Sequence, residues 1–274
     1  MIDVVTDLTE DAFLGGQLRL RQKRSGHRAG HDAILLAAAT DARAGDRVVD
    51  FGAGIGTAGL ALARRVTGIN LSMVEIDPEL ADLARANAAA NAIAADAIVL
   101  DVTADAQAFA AYGLVPDSAD CVLMNPPFND PARHRGSPDQ ARRTAHVARE
   151  ETLNAWVHAA RRILRSDGAL TLIWRADGIA EVSTALSRGF GSLSILPVHG
   201  EAGRPAIRVL VRAVKGGRAP TRLLPGLMLN DESGVPKNQV REILEGRALL
   251  PLAEPRRLTA EAIPTAVLAG RYSG

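Results

Sequence analysis

The sequence predicts an α/β protein with a mostly parallel sheet, helices on both faces of the sheet and an antiparallel strand pair at one edge. Three observations lead to this fold class. Short apolar runs alternate with helical segments between residues 47 and 174, and a glycine-rich turn at residues 52–56 joins the first run to the first helix. Two later apolar runs, at residues 192–196 and 207–211, have no helix between them. Strand and helix alternation is typical of parallel sheets, whereas a short link is typical of antiparallel neighbours.

Length and composition indicate one large domain or one domain with a small appendage. The chain has 274 residues, of which 47% are apolar, and a formal net charge of +1. The single cysteine, Cys121, lies in an apolar run, so a disulfide within the chain is excluded and a cysteine-based metal site is not expected. Neither a signal peptide nor an apolar stretch approaching 18 residues is found. We therefore expect a cytoplasmic protein without a membrane span or a metal, and the oligomeric state is left open.

The first 45 residues are predicted to form an N-terminal arm and a capping helix. Residues 18–21 alternate between leucine and arginine, which predicts a short hairpin or an extended arm. His31 or Asp32 is predicted to be the N-cap of a helix that runs through Ala39, because a carboxylate at that position can accept hydrogen bonds from free backbone N–H groups.

Residues 46–215 are predicted to form the core domain, and residues 216–274 a C-terminal extension. The core strands before the antiparallel pair are predicted at residues 47–51, 71–76, 97–101, 121–124 and 169–174. Helices are predicted to begin at Thr57, at Pro78, where proline suits a first helical turn, and near Arg149. The extension contains one predicted helix, residues 236–244, ended by Gly246.

A nucleoside-binding arrangement is predicted at the glycine-rich turn. Gly52, Gly54 and Gly56 lie between a strand and a helix, where glycine lets the backbone turn sharply and approach a ligand closely. Glu75 ends the next strand, and its carboxylate suits the two hydroxyls of a ribose. Residues 54–59 also match the dinucleotide-binding fingerprint, and the glycines alone are compatible with a purely structural turn.

Two further acids favour S-adenosylmethionine over a nicotinamide dinucleotide as the cofactor. Asp50 lies just before the glycines, where its carboxylate can hold the ammonium of a methionine moiety, directly or through water, and would repel a pyrophosphate. Asp101 ends the third strand, where it can accept a hydrogen bond from the amino group of adenine. We therefore predict that the chain binds S-adenosylmethionine.

Asn125, Pro126, Pro127 and Phe128 form the predicted catalytic loop. They follow a buried strand, and two consecutive prolines direct the backbone out of the sheet. The side-chain carbonyl of Asn125 and the backbone carbonyl of Pro126 can accept both hydrogens of a planar –NH2 group, and the ring of Phe128 can stack on a planar ligand. Such a loop suits the exocyclic amine of adenine. The alternative is a proline-rich turn with a buried phenylalanine.

The distribution of charge suggests a polyanionic partner. Between Arg43 and Asn125, acids outnumber bases 11 to 5, whereas residues 17–31 and 202–222 contain bases and no acid. A neutral chain with this pattern can present a basic face to RNA. The alternatives are solvated arginines or strand arginines that face the core helices. The predicted RNA-contacting residues are Arg21, Arg24, Arg28, Arg133, Arg135, Arg208 and Arg212.

The segment from Asp50 to Phe128 resembles class I S-adenosylmethionine-dependent methyltransferases that carry the signature Asn-Pro-Pro followed by Tyr or Phe. Within that class, residues 20–22, 26–28, 32–37 and 203–206 are similar to the bacterial adenine-N6 methyltransferases that modify valine tRNA beside the anticodon. That family usually has Tyr at the position of His27 and often has Tyr at the position of Phe128.

The resemblance implies a Rossmann-like fold with a seven-stranded sheet and methyl transfer from S-adenosylmethionine to the N6 amine of an adenine in RNA, with tRNA favoured. The implied cofactor-binding residues are Asp50, Gly52, Gly54, Gly56, Glu75, Asp101 and Asn125.

Other functions share parts of this pattern. Enzymes that methylate DNA adenine, rRNA guanine or a protein glutamine also use the Asn-Pro-Pro signature. The glutamine enzymes usually carry a separate N-terminal helical domain, whereas about 45 residues precede the first core strand here. A NAD-dependent oxidoreductase would leave the Asn-Pro-Pro loop unexplained, and a non-catalytic RNA-binding module would leave the acids and Asn125 unexplained.

Overall fold

The structure of the protein is a computed structural model that describes residues 8–24, 30–127 and 138–253, with side chains from residue 150 onward in the last segment. The strands are β1 (Leu8–Phe13), β2 (Leu18–Lys23), β3 (Arg47–Phe51), β4 (Asn70–Glu75), β5 (Ala95–Val99), β6 (Ala119–Met124), β7 (Leu164–Arg175), β8 (Phe190–His199), β9 (Ala206–Lys215), β10 (Arg222–Leu223) and β11 (Leu227–Met228). The α-helices are α1 (His31–Ala39), α2 (Thr57–Arg65), α3 (Pro78–Ala90), α4 (Ala106–Ala110), α5 (Pro138–Ile163), α6 (Ile179–Leu186) and α7 (Asn238–Leu244).

The main sheet confirms the predicted α/β class. Its strand order is β10-β8-β9-β7-β6-β3-β4-β5, and β11 also pairs with β8. The strands from β3 to β7 are parallel, whereas β9 is antiparallel to both of its neighbours, β7 and β8. The seven strands from β3 to β9 form the expected sheet, and the two-residue strands β10 and β11 extend it beyond β8.

Both faces of the sheet are covered, which explains why its strands are continuous apolar runs. Successive strand residues point to opposite faces, so Val48 packs with helices α1, α2 and α3, whereas Val49 packs with α4, α5 and α6. Cys121 and Leu123 belong to the first layer, and Val122 belongs to the second. The glycine turn after β3 and the predicted catalytic loop after β6 therefore follow strands that are held on two sides.

The N-terminal arm is an antiparallel hairpin of β1 and β2, as predicted, but the predicted N-cap of α1 is wrong. Leu18 and Leu20 are buried, and the side chains between them face outward. The N-cap of α1 is Gly30, and it makes no side-chain capping bond. Asp32 lies in the first turn instead, where its Oδ2 accepts a hydrogen bond of 2.9 Å from Arg208 Nε. The Asp32 carboxylate, which the local sequence pattern predicts as a helix cap, therefore forms a long-range ion pair with Arg208 instead.

The described part of the predicted C-terminal extension packs against the core. Helix α7 lies against α1, burying Val240 and Ile243 in the same apolar cluster. The backbone N–H of Leu250 donates to the carbonyl of Ala38 at 3.0 Å. Residues 238–252 thus cover one face of α1. The division at residue 215 stays a prediction.

Candidate functional site

The carboxyl ends of four adjacent strands, β6, β3, β4 and β5, bring the predicted site residues into one row. Phe51 pairs with Met124 on one side and with Val74 on the other. One residue further along, Gly52 therefore lies between Asn125 and Glu75. Neighbouring strands are about 4.8 Å apart, so the whole row is about 15 Å long. Open α/β sheets bind their ligands at this edge.

The glycine turn leaves an open cradle above the sheet. Gly52, Gly54 and Gly56 have φ angles of 65°, 56° and 89°, in the left-handed region. A Cβ atom on Gly52 would lie 2.4 Å from Cη2 of Trp156, and one on Gly56 would lie 2.9 Å from Sδ of Met73. A Cβ atom on Gly54 would meet no heavy atom within 4 Å. Packing beneath the turn thus requires the outer glycines, whereas Gly54 borders free space that a ligand can occupy.

Glu75 closes the turn against the end of β4. Its side chain is buried, Oε2 accepts a hydrogen bond of 2.8 Å from the N–H of Gly54, and Oε1 accepts one of 3.0 Å from the N–H of Asp77. A carboxylate can accept about four hydrogen bonds. The two remaining lone-pair positions fit the hydroxyls of a ribose.

Asp50 lies beneath the turn and not at its surface. The residue is 2% exposed, and its Oδ2 accepts a hydrogen bond of 2.8 Å from the N–H of Gly59 in α2. Burial raises the pKa of Asp50 to about 7; the Gly59 hydrogen bond opposes this increase, and the charge of Glu75 adds to it. Of the two contacts expected with a methionine ammonium, this depth favours the one through a bridging water.

Gly59 is the third glycine of the fingerprint match at residues 54–59, and its contact with Asp50 was not predicted. A Cβ atom there would lie 3.0 Å from Oδ2 of Asp50 and 3.1 Å from Cδ1 of Leu71. The absence of a side chain therefore lets α2 approach β3 closely enough for the N–H to bond Asp50. The signal was its place as the third glycine of that fingerprint, where the absence of a side chain lets the helix pack closely on the strand.

Asn125 provides an unsatisfied acceptor beside the turn. The residue is half-buried directly after β6, and its Oδ1 is buried without a hydrogen-bond partner among the residues that the structure describes. A buried acceptor left unpaired costs about 1–3 kcal/mol. A ligand that donates a hydrogen bond to this atom would remove that cost. Pro126 is buried and Pro127 exposed, and the predicted stacking residue Phe128 lies outside the described residues.

Comparison with known proteins identifies the family. The family model of the methyltransferase small domain matches residues 29–200. The chain belongs to this family. It is an S-adenosylmethionine-dependent methyltransferase, as the glycine turn and its acids predicted. The open space at Gly54 and the free lone pairs of Glu75 fit this cofactor.

Individual relatives agree on methyl transfer and differ in the acceptor. A protein of Porphyromonas gingivalis called tRNA1(Val) (adenine(37)-N6)-methyltransferase is 32% identical over 63% of this chain and 68% of its own. A release factor glutamine methyltransferase of Chlorobaculum tepidum is 27% identical over 62% of this chain and 59% of its own. The crystal structure of a predicted O-methyltransferase of Agrobacterium tumefaciens, 31% identical, has a TM-score of 0.67 and matches 80% of this chain and 98% of that one.

The methyltransferase has a further exposed residue at the row that the sequence did not single out. Ile76, directly after Glu75, is 62% exposed although it is aliphatic. Asp101 lies two residues beyond the end of β5, not on the strand, and its Oδ1 accepts hydrogen bonds of 2.7 Å from both the N–H and the hydroxyl of Thr103. An apolar side chain beside a carboxylate can cover a purine ring whose amino group the carboxylate binds. Ile76 was not predicted as a site residue, because an isoleucine at the end of a strand is explained by its strand propensity alone.

Cys121 is a buried thiol, and the described residues contain no metal site. Burial, reinforced by nearby carboxylates, raises the pKa of the Cys121 thiol to about 12, and its Sγ donates to the carbonyl of Asp41 at 3.0 Å. In the ranges that the structure covers, histidine, cysteine and acidic side chains form no group of three that could hold a metal ion. No helix of these ranges is long and apolar enough to cross a bilayer.

Replacing Asp50 with asparagine is expected to change how stability depends on pH. The native carboxyl binds its proton up to about pH 7, whereas the ordinary value is 3.8. The native state therefore holds more protons than the unfolded state between these values, and Asp50 makes the wild type lose stability as the pH rises from about 4 to about 7. The difference between the two pKa values corresponds to a change of at most about 4 kcal/mol in the free energy of unfolding.

The Asp50→Asn variant has no proton to lose and keeps an oxygen for Gly59, so its stability relative to the wild type should increase across that interval. Urea unfolding of both proteins at four pH values between 4.5 and 7.5 measures the difference. A constant difference would show that Asp50 ionises at its ordinary pKa.

Two of the predicted RNA-contacting arginines are engaged inside the protein. Arg212 Nη2 lies 3.2 Å from Oδ2 of Asp41, and the two side chains are only 11% and 12% exposed. Arg208 pairs with Asp32 at 2.9 Å. Arg212 is therefore a core ion-pair residue, and its placement does not fit the predicted phosphate contact. Of the acid-free run at residues 202–222, these two arginines pair with acids of the segment 32–41, whereas Arg204, Arg218 and Arg222 are exposed.

The arm keeps exposed arginines, although part of its charge is paired. Arg21 is exposed and lies 3.9 Å from a carboxylate oxygen of Glu10 on the facing strand. Arg24 is exposed at the end of β2. Lys23 Nζ lies 2.6 Å from Glu79 in the first turn of α3, which follows the Glu75 strand. This exposed ion pair joins the end of the arm to the first turn of α3. The remaining predicted contacts, Arg28, Arg133 and Arg135, lie outside the described residues.

Proposed function

We propose that this methyltransferase methylates the N6 amine of an adenine in RNA, with tRNA as the substrate. The observation that carries the proposal is the buried Oδ1 of Asn125, which has no partner among the described residues and lies one strand away from the cofactor turn. The tRNA-modifying relative supports the choice of substrate. A tRNA substrate also agrees with the expected cytoplasmic location.

Catalysis would depend mainly on the position of the amine. The lone pair of the adenine amine is delocalised into the ring, which makes the nitrogen a weak nucleophile. Acceptance of its two hydrogens by Oδ1 of Asn125 and the carbonyl of Pro126 would favour a tetrahedral nitrogen with its lone pair free to react. S-adenosylmethionine supplies an electrophilic methyl group on its sulfonium. A strong general base is not required, because the methylated ammonium is acidic and loses its proton to water.

The chain offers one group for each part of the cofactor. Glu75 would bind the ribose hydroxyls, Gly54 would border the methionine moiety, and Asp50 would contact its ammonium through water. Asp101 would accept from the adenine amino group, with Ile76 against the face of the ring. The target base must leave its stack to reach Asn125, and stacking on Phe128 would offset part of that cost.

Glutamine methylation of a protein is the second candidate, because a primary amide is also a planar –NH2 group and one relative has this activity. The exposed Arg21 and Arg24 on the arm favour RNA. Incubation with labelled S-adenosylmethionine and, separately, tRNA, rRNA, DNA or a release factor distinguishes the acceptors. We expect label in tRNA, recovered as N6-methyladenosine after digestion. Label in the release factor alone, or on an oxygen atom, would reject the proposal.

Reversing the charge of both exposed arm arginines, in Arg21→Glu with Arg24→Glu, is expected to weaken tRNA binding and its salt dependence. Each lost phosphate contact should lower the slope of log K against log[salt] by about one. Filter binding at salt concentrations from about 50 to about 300 mM measures this slope.

The matched control is Arg43→Glu with Arg188→Glu, because both residues are exposed at the opposite end of the sheet and the net charge changes equally. An equal loss in the control would show that overall charge, and not the arm, governs binding.

A further inference from the structure

Side-chain amides pair with the open edge of the arm hairpin. One edge of β2 pairs with β1, and the other edge faces α3. The side chain of Asn91 accepts from the N–H of Arg19 at 3.0 Å and donates to the carbonyl of Arg19 at 2.7 Å. The side chain of Asn87 does the same for Arg21, at 2.8 and 3.1 Å. The two amides thus act as a neighbouring strand would and satisfy an otherwise open edge.

The match depends on the dimensions of the two elements. Residues four apart on a helix lie about 6 Å apart along its axis. Residues two apart on a strand lie about 6.7 Å apart, and they point their backbone groups to the same edge. Asn87 and Asn91 are four apart on α3, and Arg19 and Arg21 are two apart on β2. The two elements can therefore dock in one register through these four residues.

Asn87 has an additional contact that Asn91 lacks. Its Nδ2 also donates to the backbone carbonyl of Ile55 at 3.0 Å, whereas Asn91 Nδ2 donates instead to the carbonyl of Asn87 in its own helix. Ile55 lies between Gly54 and Gly56 in the cofactor turn. The Asn87 side chain is thus a single buried group that holds both the arm and the turn, and the residue is 1% exposed.

We propose that Asn87 is a positioning residue that couples docking of the arm to the shape of the cofactor turn. The bond to Ile55 restricts the orientation of a peptide group between two glycines, which themselves impose little restriction. A ligand bound on the turn favours the conformation in which the carbonyl of Ile55 accepts the hydrogen bond from Asn87. In the same conformation, the Asn87 side chain bonds the backbone of Arg21. The coupling is reciprocal, so an ordered arm strengthens cofactor binding by the same factor. It requires no RNA and is independent of the proposed substrate.

Hydrogen exchange of the arm amides tests the coupling directly. In the wild type, S-adenosylhomocysteine is expected to slow exchange of the Arg19 and Arg21 amides. In Asn91→Ala, the Arg19 amide should exchange rapidly, while the Arg21 amide keeps its response and the cofactor affinity stays within about twofold. In Asn87→Ala, the arm amides should lose their response to the ligand, and calorimetry should show about tenfold weaker binding.

A second variant separates the two contacts of Asn87. Asn87→Asp keeps the acceptor for the N–H of Arg21 and loses the donor to the carbonyls of Ile55 and Arg21. The Arg21 amide should therefore stay protected without responding to S-adenosylhomocysteine. If Asn87→Ala does not fold, Asn87→Asp still tests whether the arm and the turn are coupled. The proposal is overturned if Asn87→Asp shows the wild-type response and affinity, or if Asn91→Ala weakens the cofactor as much as Asn87→Ala does. The latter result would assign the effect to arm docking alone.

Discussion

Replacing Asn125 with alanine is expected to slow methyl transfer by a factor of about 10² and to leave the affinity for S-adenosylmethionine nearly unchanged. Although the resemblance also implied a cofactor contact for Asn125, we propose that its side chain contacts the amine to be methylated, with a hydrogen bond that is best formed in the reacting geometry. A transition-state interaction of about 3 kcal/mol corresponds to this factor in rate. The loss should therefore appear in kcat.

Single-turnover methylation of tRNA measures the rate, and calorimetry with S-adenosylhomocysteine measures binding. Asn70→Ala is the matched control, because Asn70 is an exposed asparagine at the amino end of β4, on the opposite edge of the sheet. Wild-type methylation by Asn125→Ala would show that the loop is only a turn, and amine methylation would lose its main support.

Replacing Gly52 with alanine is expected to give the largest loss of stability. The new Cβ atom would lie 2.4 Å from Cη2 of Trp156, at a φ angle of 65°. The indole cannot yield easily, because it packs edge-on against Phe51 with ring centroids 6.5 Å apart. Overpacking costs about 1–3 kcal/mol and a left-handed backbone about 1–2 kcal/mol. Urea unfolding should therefore show a loss of about 2–5 kcal/mol.

Gly54→Ala is the matched comparison within the same turn. Its Cβ atom would meet no heavy atom within 4 Å, so the stability cost should be the backbone strain alone, about 1–2 kcal/mol. The added methyl group would enter the cofactor cradle, and affinity for S-adenosylhomocysteine should fall by at least about tenfold. Equal unfolding midpoints for the two variants would contradict the packing role of Trp156.

Several elements could be predicted because their signals are local. The glycine turn, the helix start at Pro78 and the proline-rich exit from β6 each follow from residues within one element. The boundaries of β7 were less predictable. It begins at Leu164, not at residue 169, because Leu164 pairs with Ala119 across an irregularity in the ladder. That pairing is a property of two distant segments.

The candidate site was predictable in its parts and not in its arrangement. The sequence indicated Glu75 and Asn125 as polar residues at strand ends, and the strand order placed both beside Gly52. Asn87 was missed, and Gly59 was indicated only as the third glycine of the fingerprint, because the contacts of both residues depend on which neighbours surround them. An asparagine inside a helix carries no local signal that a strand edge or a turn lies against it.

The sequence by itself determined the fold class, the glycine turn and the proline-rich exit from β6, since periodicity and the restrictions of glycine and proline act over a few residues. Only the tertiary structure decided which charged side chains are exposed and which are buried or paired within the protein. Asp50 and Arg212 are ordinary charged residues in the sequence, but the sheet buries one beneath the turn and pairs the other with Asp41, 171 positions away. Burial raises the pKa of the first, and the ion pair engages the second within the protein. Desolvation and ion pairing depend on neighbours that the fold brings together.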